Sequence, residues 1–472
     1  MKKMLVLLVS AVCMFANTKT SDKSGRTWQT AIHNINQVEM CISNYGKFGQ
    51  NEAGNNVGCW WPEGSLHNYI FGAGIWFGTV DSLTGDTLVT VGYNPHDGTS
   101  ECAPGLKDMD PDDPLAIIYM YPDNWPAPTG TFPMAPQARI SHQDSWCCFN
   151  DCDSTYHSPG DTRPIGIEAY QTVYAWNIPE LEDVIFFTYH LKNVSDHNLH
   201  DCYFGVMADC DIGNESGGAN DIMSGIVGKW YAVGSESIWV DNLAYQYQDV
   251  TEPGWAQIPG AIGFDLLATP MDLGMTALKR FTLSIDPSTD EERYLTLAGY
   301  NFSTGIYEPY DTVPSQPDDQ RFLMSSGPFD LAVDSSVTLV FAVLFADWHG
   351  LYGTPDIALA LVDAWAQYQY DNNWILSVKE MPQTKIASPL MTISPNPITN
   401  KAQVSFSLTN AGFVSLKLYN TIGQLVKEVA NGHRPVGNYN IDLNLNQLSQ
   451  GTYLLLLETP NGKSSRSLVI AH

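Results

Sequence analysis

The chain has 472 residues, 44% hydrophobic and only 16% charged, which excludes intrinsic disorder and allows two or three domains. Its 51 acidic residues outnumber 23 basic ones, a net charge of −28, and so acidic a surface excludes nucleic acid and anionic membranes as partners. With 28 Pro, 38 Gly, 13 Trp, 23 Tyr and 18 Phe, the composition points to a mainly β protein rich in turns.

The first residues read as an export signal. Lys2 and Lys3 precede an apolar run over residues 4–15, broken only by Ser10, and Ala16 follows. This is the pattern of a signal peptide over residues 1–16. The run is too short to cross a bilayer. No later stretch reaches about 18 apolar residues, so no integral membrane helix is expected. Beyond the signal stand eight cysteines: Cys41, Cys59, Cys102, Cys147, Cys148, Cys152, Cys202 and Cys210. An even number in an exported chain suggests disulfides, without fixing their pairing.

Residues 17–379 form the body, with the strand-and-turn rhythm of a large β-sandwich in one or two lobes. Phe71-Gly72-Ala73-Gly74-Ile75-Trp76-Phe77-Gly78 has the wrong glycine spacing for a dinucleotide site and reads as a tightly packed strand. Two long loops are expected at 93–114 and 121–164. The second carries His142, Asp144, Cys147, Cys148, Asp151, Cys152, Asp153 and His157. In an oxidising compartment, disulfides suit that cluster better than zinc, with free thiols as the other alternative.

Residues 184–194 alternate apolar and polar, 193–198 are turn-like, and 199–211 read as the return strand of a β-hairpin. At its end stand Asp209, Asp211, Asn214 and Asp221. Alternation puts Asp209 and Asp211 on one face, roughly 6–7 Å apart. Two carboxylates so close repel unless hydrated or bridged by a cation. Calcium, with its preference for six to eight oxygens, is the expected cofactor. The plainer alternative is that these aspartates cap turn amides.

Residues 337–346 are apolar on both faces, the mark of a central covered strand. Thr354-Pro355-Asp356 then opens a helix. Its Ile357, Leu361, Trp365 and Tyr368 form a stripe expected to face the sheet. A linker follows at 380–393.

From Met391 onward there are six basic and three acidic residues, a net +3. With the two lysines of the signal set aside, the body holds 15 basic against 48 acidic residues, or −33. Six strands alternate cleanly within 394–472, at 402–408, 413–419, 424–429, 438–443, 452–458 and 465–470, which makes an immunoglobulin-like β-sandwich. This segment carries Pro395-Asn396-Pro397 at its entry, a turn ending in Gly423, and Gly451-Thr452-Tyr453. On these residues it resembles the C-terminal sorting domain of the type IX secretion system of Bacteroidota and related phyla. The resemblance implies the type IX machinery as partner, passage across the outer membrane, and a location on the cell surface or outside the cell. The body in turn is similar to uncharacterised secreted proteins that carry such a tail, on stretches such as Ile42-Ser43-Asn44-Tyr45-Gly46 and Ala73-Gly74-Ile75-Trp76-Phe77-Gly78.

No zinc-protease helix, nucleophile elbow or phosphate loop is present. The expected role of the body is therefore a non-catalytic binding or structural scaffold, for polysaccharide or surface proteins. Trp60, Trp61, Trp125 and Trp146 offer either sugar-stacking faces or core packing. The alternative is a secreted hydrolase using paired carboxylates, which leave no local motif.

Overall fold

The computed structural model describes residues 20–21, 27–374 and 391–470, apart from 52–55, 83, 111–112, 159–161, 214–217, 234–235, 350–352, 395–397, 399–400, 409–411, 421–424, 446–447 and 460–461. The signal segment and most of the linker lie outside the described residues. The chain divides into two compact units. One comprises Met1–Lys229 and Trp239–Val378, the other Trp230–Ile238 and Lys379–His472.

In chain order the longer body elements are β1 (Gly72–Val80), β2 (Gln143–Asn150), β3 (Ile167–Ala175), β4 (Val184–Asn193), β5 (Leu199–Asp209), β6 (Ile222–Val233), β7 (Glu236–Tyr247), β8 (Ala261–Ala268), β9 (Ala277–Thr282), α1 (Asp290–Leu297), β10 (Gln320–Leu331), β11 (Ser336–Ala346) and α2 (Pro355–Asp371). They build two nine-stranded sheets. One runs β9-β10-β5-β1 and continues through three short strands. The other runs β2-β3-β4-β11-β8-β7-β6 behind a short edge strand. The pairings are antiparallel. The main core lies between the sheets, where Tyr189 of β4 meets Phe204 of β5 at 6.4 Å and Phe264 of β8 meets Phe322 of β10 at 5.3 Å. A mainly β, sandwich-like body is thus what the sequence builds.

β11 is central as its two apolar faces require. It pairs with β4 on one side and β8 on the other. Phe341 and Val343 enter the main core, and α2 lies against β8 and β11.

The expected hairpin is not one. β4 and β5 belong to different sheets, so the chain arches across the core between them. Alternation is satisfied either way, because Phe187, Tyr189 and Leu191 face Phe204, Val206 and Ala208 across the sandwich rather than along one face. Asn193 sets the arch: its amide donates to the carbonyls of His197 at 2.9 Å and Leu331 at 3.1 Å, and its oxygen accepts from Ser195.

Helix α2 also turns out differently. Its buried residues are Ala358, Leu359, Ala360, Asp363, Ala366 and Gln369. Of the expected stripe, Trp365 and Tyr368 face outward, 46% and 49% exposed, and Ile357 and Leu361 are only partly buried. Small residues let the helix approach the sheet closely, and that decides which face packs. Thr354 makes no side-chain capping bond. A second helix, α1, escaped the sequence reading although Thr289 and Glu292 form a capping box at its start. β2 likewise crosses the stretch expected to be a loop, fully paired with β3.

The terminal unit follows its pattern closely. Strands β12 (Thr392–Ser394), β13 (Lys401–Leu408), β14 (Gly412–Asn420), β15 (Leu425–Arg434), β16 (Gly437–Asn444), β17 (Gly451–Thr459) and β18 (Gly462–Ile470) form sheets ordered β12-β13-β16 and β15-β14-β17-β18. Val404, Phe406, Val414, Leu416, Leu418, Leu455 and Leu457 close their own core. Asn431-Gly432 lies inside β15.

Candidate metal centre

The centre forms where β1, β5 and β10 come together. Asp209, the last residue of β5, stands opposite Arg321 of β10 and opposite Gly72 of β1. Asp211 follows in the loop, and Asp319 immediately precedes β10. One oxygen from each of Asp209, Asp211 and Asp319 falls within 4.8 Å of the others, and among the described residues this is the one such group of potential metal ligands. Sequence reasoning had Asp209 and Asp211 but not Asp319, 108 positions further on, which only the β5–β10 register brings near.

Gly72 explains the glycine-rich strand. A Cβ there would sit 2.3 Å from the ring of Tyr93. With hydrogen in its place, Tyr93 packs over the strand, and its hydroxyl donates to Asp209 Oδ2 at 3.0 Å. Arg321 provides the local positive charge. Its Nε lies 3.1 Å from Asp209 Oδ1 and 3.8 Å from Asp319 Oδ1, and its Nη1 bonds Asp286. Burial works against its charge, but Asp209, Asp286 and Asp319 hold its pKa above the ordinary value.

Negative charge still exceeds positive. Burial pushes Asp209 up to about 8, with Arg321 opposing and Asp211 adding to the rise. Burial and then Asp319 push Asp211 up to about 6. Asp221, expected as a ligand, is not in the group; its carboxylate accepts from Ile212 N at 3.2 Å and Gln248 Nε2 at 2.9 Å. It is raised well above its ordinary value, chiefly by burial. Asn214 lies outside the described residues. The group offers three carboxylates from two chain segments, oxygen ligands of the kind a divalent cation takes, and in this structure the Arg321 guanidinium stands against Asp209 and Asp319.

Arg321 also forms part of the wall of a cleft of about 470 Å³, together with Lys47, Gln50, Phe71, His96 and Asp97. Among the described residues that line the cleft Asp97 is the one acid, and Asp209, Asp211 and Asp319 are not among them.

The other candidate residues are scattered. All eight cysteines are free thiols, seven buried and Cys152 partly so, so the expected disulfide staples are not seen. Cys147 enters the main core while its neighbour Cys148 faces an outer cluster around Trp146. Cys202 lies against Thr79, Sγ to Oγ1 3.6 Å. Burial pushes Cys41, Cys152 and Cys202 each up to about 12, far from reactive thiolates. Trp61 and Trp146 are 9% and 2% exposed and serve as core. In the terminal unit Gly451 opens β17 with φ +153°. Tyr453 is buried, its hydroxyl donating to Ser449 O at 3.0 Å. Pro395, Asn396, Pro397 and Gly423 lie outside the described residues.

The strands of the terminal unit coincide with a known family. Residues 392–471 match the secretion system C-terminal sorting domain. The tail is a sorting domain of the type IX system. It marks the chain for export to the cell surface or extracellular space and implies interaction with that machinery. No curated protein matches the chain. Among solved structures, a polysaccharide lyase is similar at 10% identity over 80% of this chain and 45% of its own, TM-score 0.20. A Pichia pastoris lysyl oxidase is similar at 7% over 73% and 56%, TM-score 0.24. Dimeric latent PorU from Porphyromonas gingivalis is similar at 11% over 72% and 33%, TM-score 0.15. The chain spans about a third to just over half the length of these proteins, and at such scores their activities do not carry over. Among the described residues no helix is long and apolar enough to cross a membrane.

Proposed function

We propose that the sorting tail delivers the body to the cell surface or medium, where it serves as a non-catalytic binding or structural scaffold clamped internally by calcium. The supporting observation is the meeting of Asp209, Asp211 and Asp319 within 4.8 Å at a junction of strands. A calcium ion there ties the end of β5 to the start of β10 through oxygen ligands. The cleft beside it, with Gln50, His96 and Asp97 over Phe71, is the surface offered to polysaccharide or surface proteins. A glycosidase needs two carboxyls facing the substrate from opposite sides. Among the described residues lining the cleft Asp97 is the one acid, which supports the scaffold reading.

Calorimetric titration of calcium into the full chain tests the clamp. One site is expected, weakened at least tenfold in Asp319→Ala. Equal heats in wild type and variant place the ion elsewhere, and no heat at all removes it.

A further inference from the structure

A second pair of buried acids has no part in the metal centre. Asp265 lies in β8 and Asp363 in the middle of α2, and they are 2% and 3% exposed. Their carboxyl groups hydrogen-bond one another across the helix–sheet interface. Oδ1 of each receives no bond from any amide, hydroxyl or basic group. An ionised carboxylate only accepts, so such a bond requires a proton on one of the two.

Among the described residues no positive group faces the pair. β8 carries no other titratable side chain, and β11, the other strand under α2, carries none. β7 contributes Asp241, which adds negative charge to both members, and Tyr245 and Tyr247, which feel Asp356 at the start of α2. Asp356 is paired with Lys229 of β6 at 2.9 Å. At the far end of the helix Tyr370 feels Asp272 and Asp371. The pair sits between two apolar anchors of this segment. A side chain of Leu359 reaches 3.3 Å from where a Cβ on Gly263 would stand, and Trp374, just past the helix, stacks on Trp176 at 5.5 Å.

We propose that a proton shared by Asp265 and Asp363 latches α2 onto the sheet, so that the helix loosens as its surroundings turn alkaline. Burial, followed by the repulsion of each other and of Asp241, raises Asp265 well above its ordinary value. Burial raises Asp363 to about 7. The folded chain therefore keeps a proton that the unfolded chain has already lost near pH 4. Where the folded state binds more protons, stability falls as pH rises, here from about pH 4 through the folded values. The helix is the element that gives way, because β8 is paired by backbone hydrogen bonds on both edges while α2 lies on the sheet through side chains.

Hydrogen exchange of the full chain at pH 5, 7 and 9, corrected for intrinsic rates, tests the latch. Protection of α2 amides should fall by up to about tenfold per pH unit above 7, while β4 and β11 hold. In Asp363→Asn the new amide donates to an ionised Asp265 without a shared proton, so the loss of α2 protection with rising pH should be clearly smaller than in wild type, and protection at pH 9 at least tenfold above it. Asp265→Asn is the mirror exchange and should behave alike. Wild-type protection of α2 that is constant from pH 5 to 9 overturns the latch. So does a pH dependence that is undiminished in both variants. If neither variant folds, the wild-type series decides alone.

Discussion

Arg321 and the carboxylates around it hold one another in place. The guanidinium is 5% exposed, beside Asp209, Asp286 and Asp319. Removing one partner of a buried ionic group leaves the others uncompensated, at a cost of about 3–5 kcal/mol. Arg321→Met should lose roughly that much in chelator and distinctly less in calcium, read from denaturant melts. Equal losses in both would show that the ion cannot take over the charge. Gly72→Ala drives a methyl into the Tyr93 ring, only 2.3 Å away. It should cost about 1–3 kcal/mol by overpacking and weaken calcium binding, since Tyr93 orients Asp209; unchanged melting would contradict the packing. Protons compete with the ion at Asp209 and Asp211, whose values stand near 8 and 6. Calcium binds the ionised forms, so affinity should tighten between about pH 5 and 8 and level off above. In the absence of the ion these raised values make the folded chain the better proton binder, so apo stability should fall over the same range. Calorimetry across that range checks the first claim and chelator melts the second.

Among the elements, α2 gives the sharpest test of which face packs. Trp365 is half exposed while Leu359 is fully buried. Trp365→Ala should change stability by no more than about 0.5 kcal/mol, and Leu359→Ala should cost about 2–4 kcal/mol. The reverse order would restore the face expected from sequence. That expectation failed for a physical reason. The hydrophobic stripe Ile357, Leu361, Trp365 and Tyr368 is real, but bulky aromatics would hold the helix off the sheet, and the stripe of Ala358, Ala366 and Leu359 comes closer. The arch between β4 and β5 was illegible for a related reason: period-two alternation says which side chains share a face, not which sheet the strand joins. What rested on local pattern was readable, including the central position of β11, the strands of the tail and the proximity of Asp209 to Asp211. What rested on pairing across a hundred residues was not, and Asp319, Arg321 and Asp363 all belong to that class.

For the molecule as a whole, the tail is separable in charge, core and family. It carries +3 against −33 for the body, closes its own apolar core and matches the sorting family over 392–471. Residues 391–472 expressed alone should melt as one cooperative unit, and fused behind a signal peptide and a reporter they should carry it out of a host with type IX machinery. A reporter that stays in the periplasm contradicts the sorting role. The central proposal concerns the body: calcium joining β5 to β10. Long-wavelength anomalous diffraction from a crystal of the full chain grown in calcium tests it most directly. The account predicts an anomalous peak about 2.3–2.6 Å from carboxylate oxygens of Asp209, Asp211 and Asp319. A map with no peak there, and with the Arg321 guanidinium still seated on Asp209, would contradict it.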